Sequence, residues 1–292
     1  MTTDIPFEDL LTGLRPRLHR YCARMTGSAA DGEDVVQEAL IKAMSARAAA
    51  AGIGNVEGWL FRIAHNASLD FLRARARHEG VPFSEDADLA VGQPDPDVAS
   101  VSFRTFLELP VLPRCAVILK DVLGHSLEEV AGIAGCSVPA AKSALQRGRQ
   151  RLKELAADGG DVARLPLLSD DERRRLQTYV AAFRAGDFDG IRAMLADDVR
   201  VELVNRLTLV GREKVSPYFT RYAELTHWRF GLGAVDGRPA ILVYDGNGAM
   251  DRPNHFILVD WRAGRIHGFT DFLYAPYAME ACDWVVLDPP SA

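Results

Sequence analysis

The stretch Ser126–Lys153, SLEEVAGIAGCSVPAAKSALQRGRQRLK, constrains the chain more than any other. Ser126 and Glu129 have the spacing of a capping box, in which each side chain satisfies an orphan amide at a helix start. Leu127, Val130, Ala131 and Ile133 give the short helix that follows its apolar side. Ala134-Gly135-Cys136 supplies a tight turn. Ser137 is placed to cap a second helix, with Pro139 in its first turn, where a missing N–H costs little. Two helices joined by a short Gly-containing turn form a helix-turn-helix.

On the second helix Val138, Ala141, Leu145, Gly148 and Leu152 repeat at helical spacing and are expected to pack inward. Pro139, Lys142, Ser143, Gln146, Arg147, Arg149, Gln150 and Lys153 remain for the outer surface. Five basic residues and no acidic one stand between Val138 and Lys153, in a chain whose net charge is −6. That local reversal of sign suits a DNA major groove. A solvated cationic helix in an unrelated bundle is the competing reading.

With 292 residues the chain is long enough for two or three domains. No basic-then-apolar leader and no long apolar run is present, so a reducing cytoplasm is expected and a membrane is not. Cys22, Cys115, Cys136 and Cys282 are scattered without a Cys-x-x-Cys cluster, which excludes a zinc reading; no metal or cofactor is expected. A lone DNA-binding protein usually carries a basic surplus, so an acidic total with local basic stripes fits a chain that borrows affinity from a larger partner.

Upstream, Leu10, Leu11, Leu14, Leu18, Tyr21, Cys22 and Met25 mark one helix, ended by Thr26-Gly27-Ser28. Asp31 is expected to cap the next, DGEDVVQEALIKAMSARA, whose buried side would be Val35, Val36, Ala39, Leu40, Ala43 and Met44. Its early acids favour the positive end of the helix dipole. A loop over Ala48 to Glu57 leads to GWLFRIAHNASLDFLRARARHEG, where Leu60, Ile63, Ala64, Ala67 and Phe71 line one side. Aromatic and arginine groups beside a loop suit unstacked bases, although Trp59 and Phe71 also serve as core anchors and the arginines can be merely solvated. Val81 to Ser100 is acidic and Pro-containing, a linker composition. Leu109-Pro110 then breaks a short helix, and PRCAVILKDVLGHS gives an apolar one closed by Gly124.

Three motifs in one order resemble the extracytoplasmic-function sigma factors over roughly residues 6–156. DGEDVVQEALIKAM is similar to their core-polymerase-docking helix, and GWLFRIAHNASLDFLRAR to their −10-promoter helix. LPVLPRCAVILKDVLGHSLEEVAGIAGCSVPAAKSALQRGRQRL is similar to their −35-reading domain, with Leu109-Pro110 and Arg114 at the family's spacing. The resemblance implies core RNA polymerase and promoter DNA as partners. Asp31, Glu33, Asp34, Gln37 and Glu38 would meet the polymerase. Trp59, Arg62, Asn66, Asp70 and Arg73 would hold the −10 strand. Pro139, Lys142, Ser143, Gln146, Arg147 and Arg149 would meet the −35 duplex. Whether an anti-sigma factor binds is left open.

The remaining residues change character. Ser169 with Glu172 forms a second capping box, then a short helix FDGIRAMLADD, then strand patterns VRVELV, LTLVG, HWRFGLGAV, PAILVYDG, NHFILVDW and GRIHGFTDFL, with a helix from Arg212 to Leu225 between them. This order predicts an α+β cone with a curved antiparallel sheet. AAFRAGDFDGIRAMLADDVRVEL with the helix start at Gly211-Arg212-Glu213 resembles the SnoaL-like (nuclear transport factor 2-like) fold. The expected fold class is therefore multidomain: two all-α DNA- and polymerase-binding domains, the second with a helix-turn-helix, followed by that cone. The expected limits are 1–80, linker 81–100, 101–157, linker 158–168, and 169–292.

Trp228, Tyr244, His255 and His267, with Asp260 and Asp271, are candidate lining residues for a small ligand in the cone. Strand alternation puts His255 and Asp260 on opposite faces, so they cannot act together. No catalytic residue is assigned, since fold does not establish activity. The function expected is a sigma initiation factor modulated in cis by its cone. A ligand-responsive helix-turn-helix regulator and a SnoaL-type enzyme fused to a DNA-binding module are the alternatives.

Overall fold

The computed structural model describes residues 7–47, 53–80, 102–157, 169–225, 227–280 and 282–290. The expected linkers at 81–100 and 158–168, and Ala48 to Gly52 of the expected loop, lie outside the described residues. The chain divides into two compact units, Met1–Val162 and Ala163–Ala292.

The first unit is helical: α1 (Phe7–Thr26), α2 (Ala29–Ser45), α3 (Val56–Glu79), α4 (Phe103–Leu107), α5 (Val111–Val117), α6 (Leu127–Ala134) and α7 (Val138–Ala157). The chain continues from α5 through one π-helical turn, Ile118–Val122. Gly27, at φ +79°, ends α1, and Ser28 follows in an extended conformation. Ser28 rather than Asp31 therefore caps α2, its hydroxyl accepting from the Asp31 amide at 3.3 Å, and Asp31 lies in the first turn. Pro110 separates α4 from α5 as its missing N–H requires.

Both bonds of the capping box at α6 are made: Ser126 N–H to Glu129 Oε2 at 2.8 Å, and Glu129 N–H to Ser126 Oγ at 3.1 Å. Gly135 ends the helix at φ +68°, and the Ala140 amide donates to Ser137 Oγ at 3.3 Å at the start of α7. The buried side of α7 is Ala141, Ala144, Leu145, Gly148 and Leu152. Val138, expected inward, is 38% exposed, because it stands at the helix start ahead of that arc. Gly148 lies so close to α5 that a Cβ there would come 2.9 Å from the Pro113 carbonyl oxygen.

The helices on both sides of residues 81–101 share one apolar core. Leu18, Tyr21, Cys22, Met25, Leu60 and Phe61 belong to the same buried cluster as Phe106, Leu109, Cys115, Ile118, Leu119 and Val130. At roughly 25 cal/mol per Å² of apolar surface, a continuous core of this kind holds α4–α7 against α1–α3 without covalent help.

The second unit contains α8 (Asp170–Ala185), α9 (Phe188–Met194), β1 (Leu195–Leu203), β2 (Leu207–Val210), α10 (Arg212–Glu224), β3 (Trp228–Val235), β4 (Arg238–Asp245), β5 (His255–Arg262), β6 (Arg265–Asp271) and β7 (Trp284–Asp288). The strands form one seven-stranded sheet in the order β2-β1-β6-β5-β4-β3-β7. The sheet is mixed, not purely antiparallel as expected, since β1 runs parallel to β6. A parallel neighbour needs a long crossover, here α10 with the intervening strands, and period-two patterning carries no signal of strand direction. β7 was not expected; it pairs antiparallel with β3. Leu176, Tyr179, Val180 and Phe183 of α8 and Phe219 of α10 join Val199, Val201, Ile241, Val243, Ile257 and Phe269 of the sheet in one core.

Candidate polymerase- and DNA-binding surfaces

Helix α2 presents a mixed acidic and apolar face. Asp34 and Glu38 are exposed, and Asp31 and Gln37 half-buried. Ile41 is 65% exposed and Met44 56%. Two residues sit otherwise than expected. Glu33 is buried and ion-paired with Arg15 of α1, because helical spacing puts it on the side of Val36 and Leu40. Met44, expected inside, falls one turn beyond Ile41 on the open side. Ile41 as a surface residue was missed: an apolar residue inside an apolar run gives no sign of its exposure.

Helix α3 starts at Asn55, whose Oδ1 accepts from the Gly58 amide at 2.8 Å. Leu60, Phe61, Ala64, His65, Ala67, Ser68 and Leu72 are buried. Arg62, Asn66, Asp70 and Arg73 form one exposed stripe along the opposite side. Trp59 is half-buried with its ring 6.5 Å from that of Phe7, and both Trp59 and half-buried Phe71 pack against the core as partial anchors. Lys42 of α2 reaches across to α3: its Nζ lies 2.6 Å from Glu38 and 3.8 Å from Asp70, which in turn meets Arg73 at 3.3 Å. The acidic face of α2 and the arginine stripe of α3 thus adjoin.

On α7, Pro139 and Lys142 are exposed, and Ser143, Gln146 and Arg147 half-buried, with Arg147 Nη1 donating to Ser143 Oγ at 3.1 Å. Lysine, glutamine and arginine on one helix face match the donor and acceptor edges of guanine and adenine. Arg149 departs from the expected set. Its Nε and Nη2 donate to the two carboxylate oxygens of Asp121 at 2.8 and 2.5 Å, and this pairing raises its pKa. Its guanidinium is already spent on the protein.

The residues expected to line a cavity in the second unit fall into two groups, Trp228, His255 and Asp271 in the interior and His267 with Asp260 at an open groove, and Tyr244 joins neither. His255 is fully buried and Trp228 stands edge-on to it at 5.2 Å. Tyr244 follows Val243 onto the other face of β4. His267 lies 3.1 Å from Asp198 at an open groove of about 720 Å³ that also takes in Arg200, Asp260 and Arg262. The buried polar cluster centres on Asp271, one of the expected residues, which is fully buried. Its Oδ2 accepts from the hydroxyls of Tyr218 at 2.9 Å and Tyr222 at 2.7 Å, and its Oδ1 from the Leu273 amide at 2.9 Å. His255 Nε2 lies 3.0 Å from the Tyr222 hydroxyl and 3.6 Å from Asp271. Burial lowers the His255 pKa, partly offset by Asp271, and raises those of Tyr218 and Tyr222. Tyr218 and Tyr222 were missed, since tyrosines at helical spacing read as ordinary core. None of these four residues lines the groove.

Three family models match in sequence: Sigma-70 region 2 over residues 10–78, Sigma-70 region 4 over 104–152, and a SnoaL-like domain over 176–271. The sigma factor CarQ of Myxococcus xanthus is 31% identical over 52% of this chain and 90% of its own length. This chain belongs to the extracytoplasmic-function (ECF) RNA polymerase sigma factors. The ECF sigma factor SigG of Mycobacterium tuberculosis is 28% identical over 89% of this chain and 79% of its own, so the similarity continues past the helical unit. The crystal structure of the ECF sigma factor SigJ from the same organism aligns at 20% identity and a TM-score of 0.36, over 90% of this chain and 95% of that one. In this sigma factor, region 2 corresponds to α1–α3 and region 4 to α4–α7, and the SnoaL-like domain occupies the second unit. No described helix is long and apolar enough to cross a membrane.

Proposed function

We propose that this ECF sigma factor docks on core RNA polymerase through Asp34, Glu38, Ile41 and Met44 of α2. It then holds the −10 strand on the Arg62–Asn66–Asp70–Arg73 stripe of α3, and reads the −35 duplex with Lys142, Ser143, Gln146 and Arg147 of α7. The single observation that supports this most is the α2 face: two exposed carboxylates beside two large exposed apolar side chains, on the helix next to the arginine stripe. A repressor that acts on DNA alone has no use for such a face. The phosphate contacts would supply salt-dependent affinity and the base contacts specificity. Glu33 and Arg149 hold the fold and are left out of the contact surfaces.

The SnoaL-like domain modulates initiation in cis, and it is not an enzyme. The support for the second statement is the sealing of Asp271: two phenols, an amide and an imidazole surround its carboxylate, and none of the cluster reaches the groove. A general base must reach its substrate's proton. Run-off transcription with bacterial core polymerase on a pool of promoter fragments tests the whole reading. The full chain should direct initiation from a defined subset. A chain ending at Val162 should initiate at a different rate from the same subset. Absence of any core-dependent initiation by either chain would refute the sigma reading, and identical rates would refute cis control.

A further inference from the structure

Phe7 opens α1, and its ring meets two residues that come to it from the ends of other helices. The Trp59 ring, near the start of α3, stands 6.5 Å away and is tilted 46° to it. The Arg47 guanidinium, just past the end of α2, lies 5.6 Å from the Phe7 ring centre. Arg47 also pairs with Glu8 at 2.6 Å, and both of those side chains are more than half exposed. Each contact is weak alone, as exposed cation–π contacts and surface ion pairs are. Together they clasp the first two residues of α1 to the end of α2 and the start of α3. A helix start left to itself frays, and this one is tied down.

Trp59 heads the exposed stripe of α3. Helical spacing keeps Trp59, Arg62, Asn66, Asp70 and Arg73 on one side of the helix. The Trp59 ring is half-buried, so part of it rests on the helical core and part is open to solvent. An indole placed in this way can stack an unpaired base, a contact that tolerates any base because every base has a π-face. Such a ring works best when it is held. A surface tryptophan free to change rotamer must be immobilised as the base arrives, and that lost freedom is subtracted from the affinity. The Phe7 ring removes the freedom beforehand, standing at the centroid distance of aromatic pairs.

Arg47 adds a cation to the same cluster. Single strands are held by stacking together with positive charge along the backbone. A guanidinium offers five N–H donors, more than the bond to Glu8 engages. Phe7 and Glu8 thus aim Arg47 without using up its capacity for a phosphate.

We infer that Phe7 is a positioning residue for the −10 strand: it sets the Trp59 indole as a stacking platform for one unpaired base and holds Arg47 as the cation for an adjoining phosphate. This deepens the sigma reading above and rests on it. The −10 surface then includes the start of α1 as well as the stripe of α3. A Phe7 that only filled space would act on stability, whereas a positioning Phe7 acts on one base.

The test uses the full chain assembled with bacterial core polymerase on a forked promoter fragment from the subset it initiates on, with 2-aminopurine stepped through the non-template −10 bases. Stacking on an indole quenches this base. One position should be quenched with the unsubstituted chain and bright with Trp59→Ala. Phe7→Ala should leave that same position bright and weaken binding of the fragment about two- to tenfold, with core affinity unchanged. Phe7→Tyr, which keeps the ring, should restore both. Should Phe7→Ala melt at markedly lower urea, Phe7→Leu takes its place with the same expectation, since leucine keeps apolar volume but offers neither indole nor guanidinium a ring. Retained quenching in the folded Phe7 variant overturns the proposal, and so does loss of core affinity in step with loss of fragment binding. Initiation by the unsubstituted chain with no −10 base quenched also overturns it and leaves the sigma reading standing. Absence of any initiation by that chain defeats the sigma reading itself.

Discussion

Asp121 and Arg149 meet as a two-bond fork, 2.8 and 2.5 Å, between the π-helical turn and α7, the second helix of the helix-turn-helix. The pair is only partly exposed, 22% for arginine and 15% for aspartate, so its geometry counts for more than that of a surface pair. Arg149→Ala should cost about 1–3 kcal/mol in urea unfolding and weaken duplex binding evenly across sequences. Lys142→Ala should leave stability within about 0.5 kcal/mol and still weaken binding of the −35 duplex. Anisotropy titrations on a panel of single-base variants would separate the two. A change of base preference in Arg149→Ala would show that the arginine leaves Asp121 to read DNA.

Helix α2, proposed above to dock on polymerase, offers a sharper contrast, because its acids sit in different surroundings: Asp34 and Glu38 exposed, Glu33 buried. Asp34→Lys with Glu38→Lys should weaken core polymerase binding by at least tenfold with little change in unfolding. Ile41→Ser with Met44→Ser should act in the same direction through lost apolar contact. Glu33→Ala should instead remove the ion pair that buried Glu33 makes with Arg15 and cost about 1–3 kcal/mol of stability. Pull-down of core polymerase alongside urea melts would check all three, and a stable Glu33→Ala chain with lost core binding would return Glu33 to the docking surface.

The helix-turn-helix was legible because its signals are local. Ser126, Glu129, Gly135 and Ser137 act on amides within one turn, so spacing alone predicts their bonds. Glu33, Met44 and Arg149 were misplaced because their fate depends on contacts far along the chain: Arg15 for the first, Asp121 for the last, and for Met44 the lack of a covering helix among the described residues. The parallel β1–β6 pair has the same cause, since strand direction is set by the crossover and not by the alternation within either strand. In the cone, Asp271 was read as a candidate lining residue, but Tyr218 and Tyr222 approach it from α10, and nothing in a helical pattern of tyrosines shows which carboxylate they will meet.

The Asp271 cluster should carry stability rather than turnover. Asp271→Ala removes the acceptor for two buried hydroxyls and the Leu273 amide, and should cost the second unit about 2–4 kcal/mol. Tyr222→Phe should cost about 1–2 kcal/mol, as the Tyr218 bond remains. Both should leave binding of an isolated −35 duplex unchanged. Calorimetric unfolding would register the loss, and a variant with unaltered stability but altered initiation would point to a signalling role for the cluster.

His19 gives the helical unit a built-in acid sensitivity. Its Nε2 lies 2.9 Å from the Ala29 carbonyl oxygen, to which the neutral ring donates, and burial lowers its pKa from the ordinary 6.5 to about 4. A folded pKa below the unfolded one means the unfolded chain takes up the proton first. The histidine's contribution is therefore fully present above pH 6.5 and is lost as the pH falls toward 4. From pH 7 to pH 5 this single group should lower stability by about 2 kcal/mol. His19→Gln keeps a donor for the carbonyl without a titrating group, so its urea midpoint should fall less over that interval than that of the unsubstituted chain. Parallel pH slopes for the two chains would assign the acid sensitivity to other groups, of which buried His255 in the second unit is the next to test.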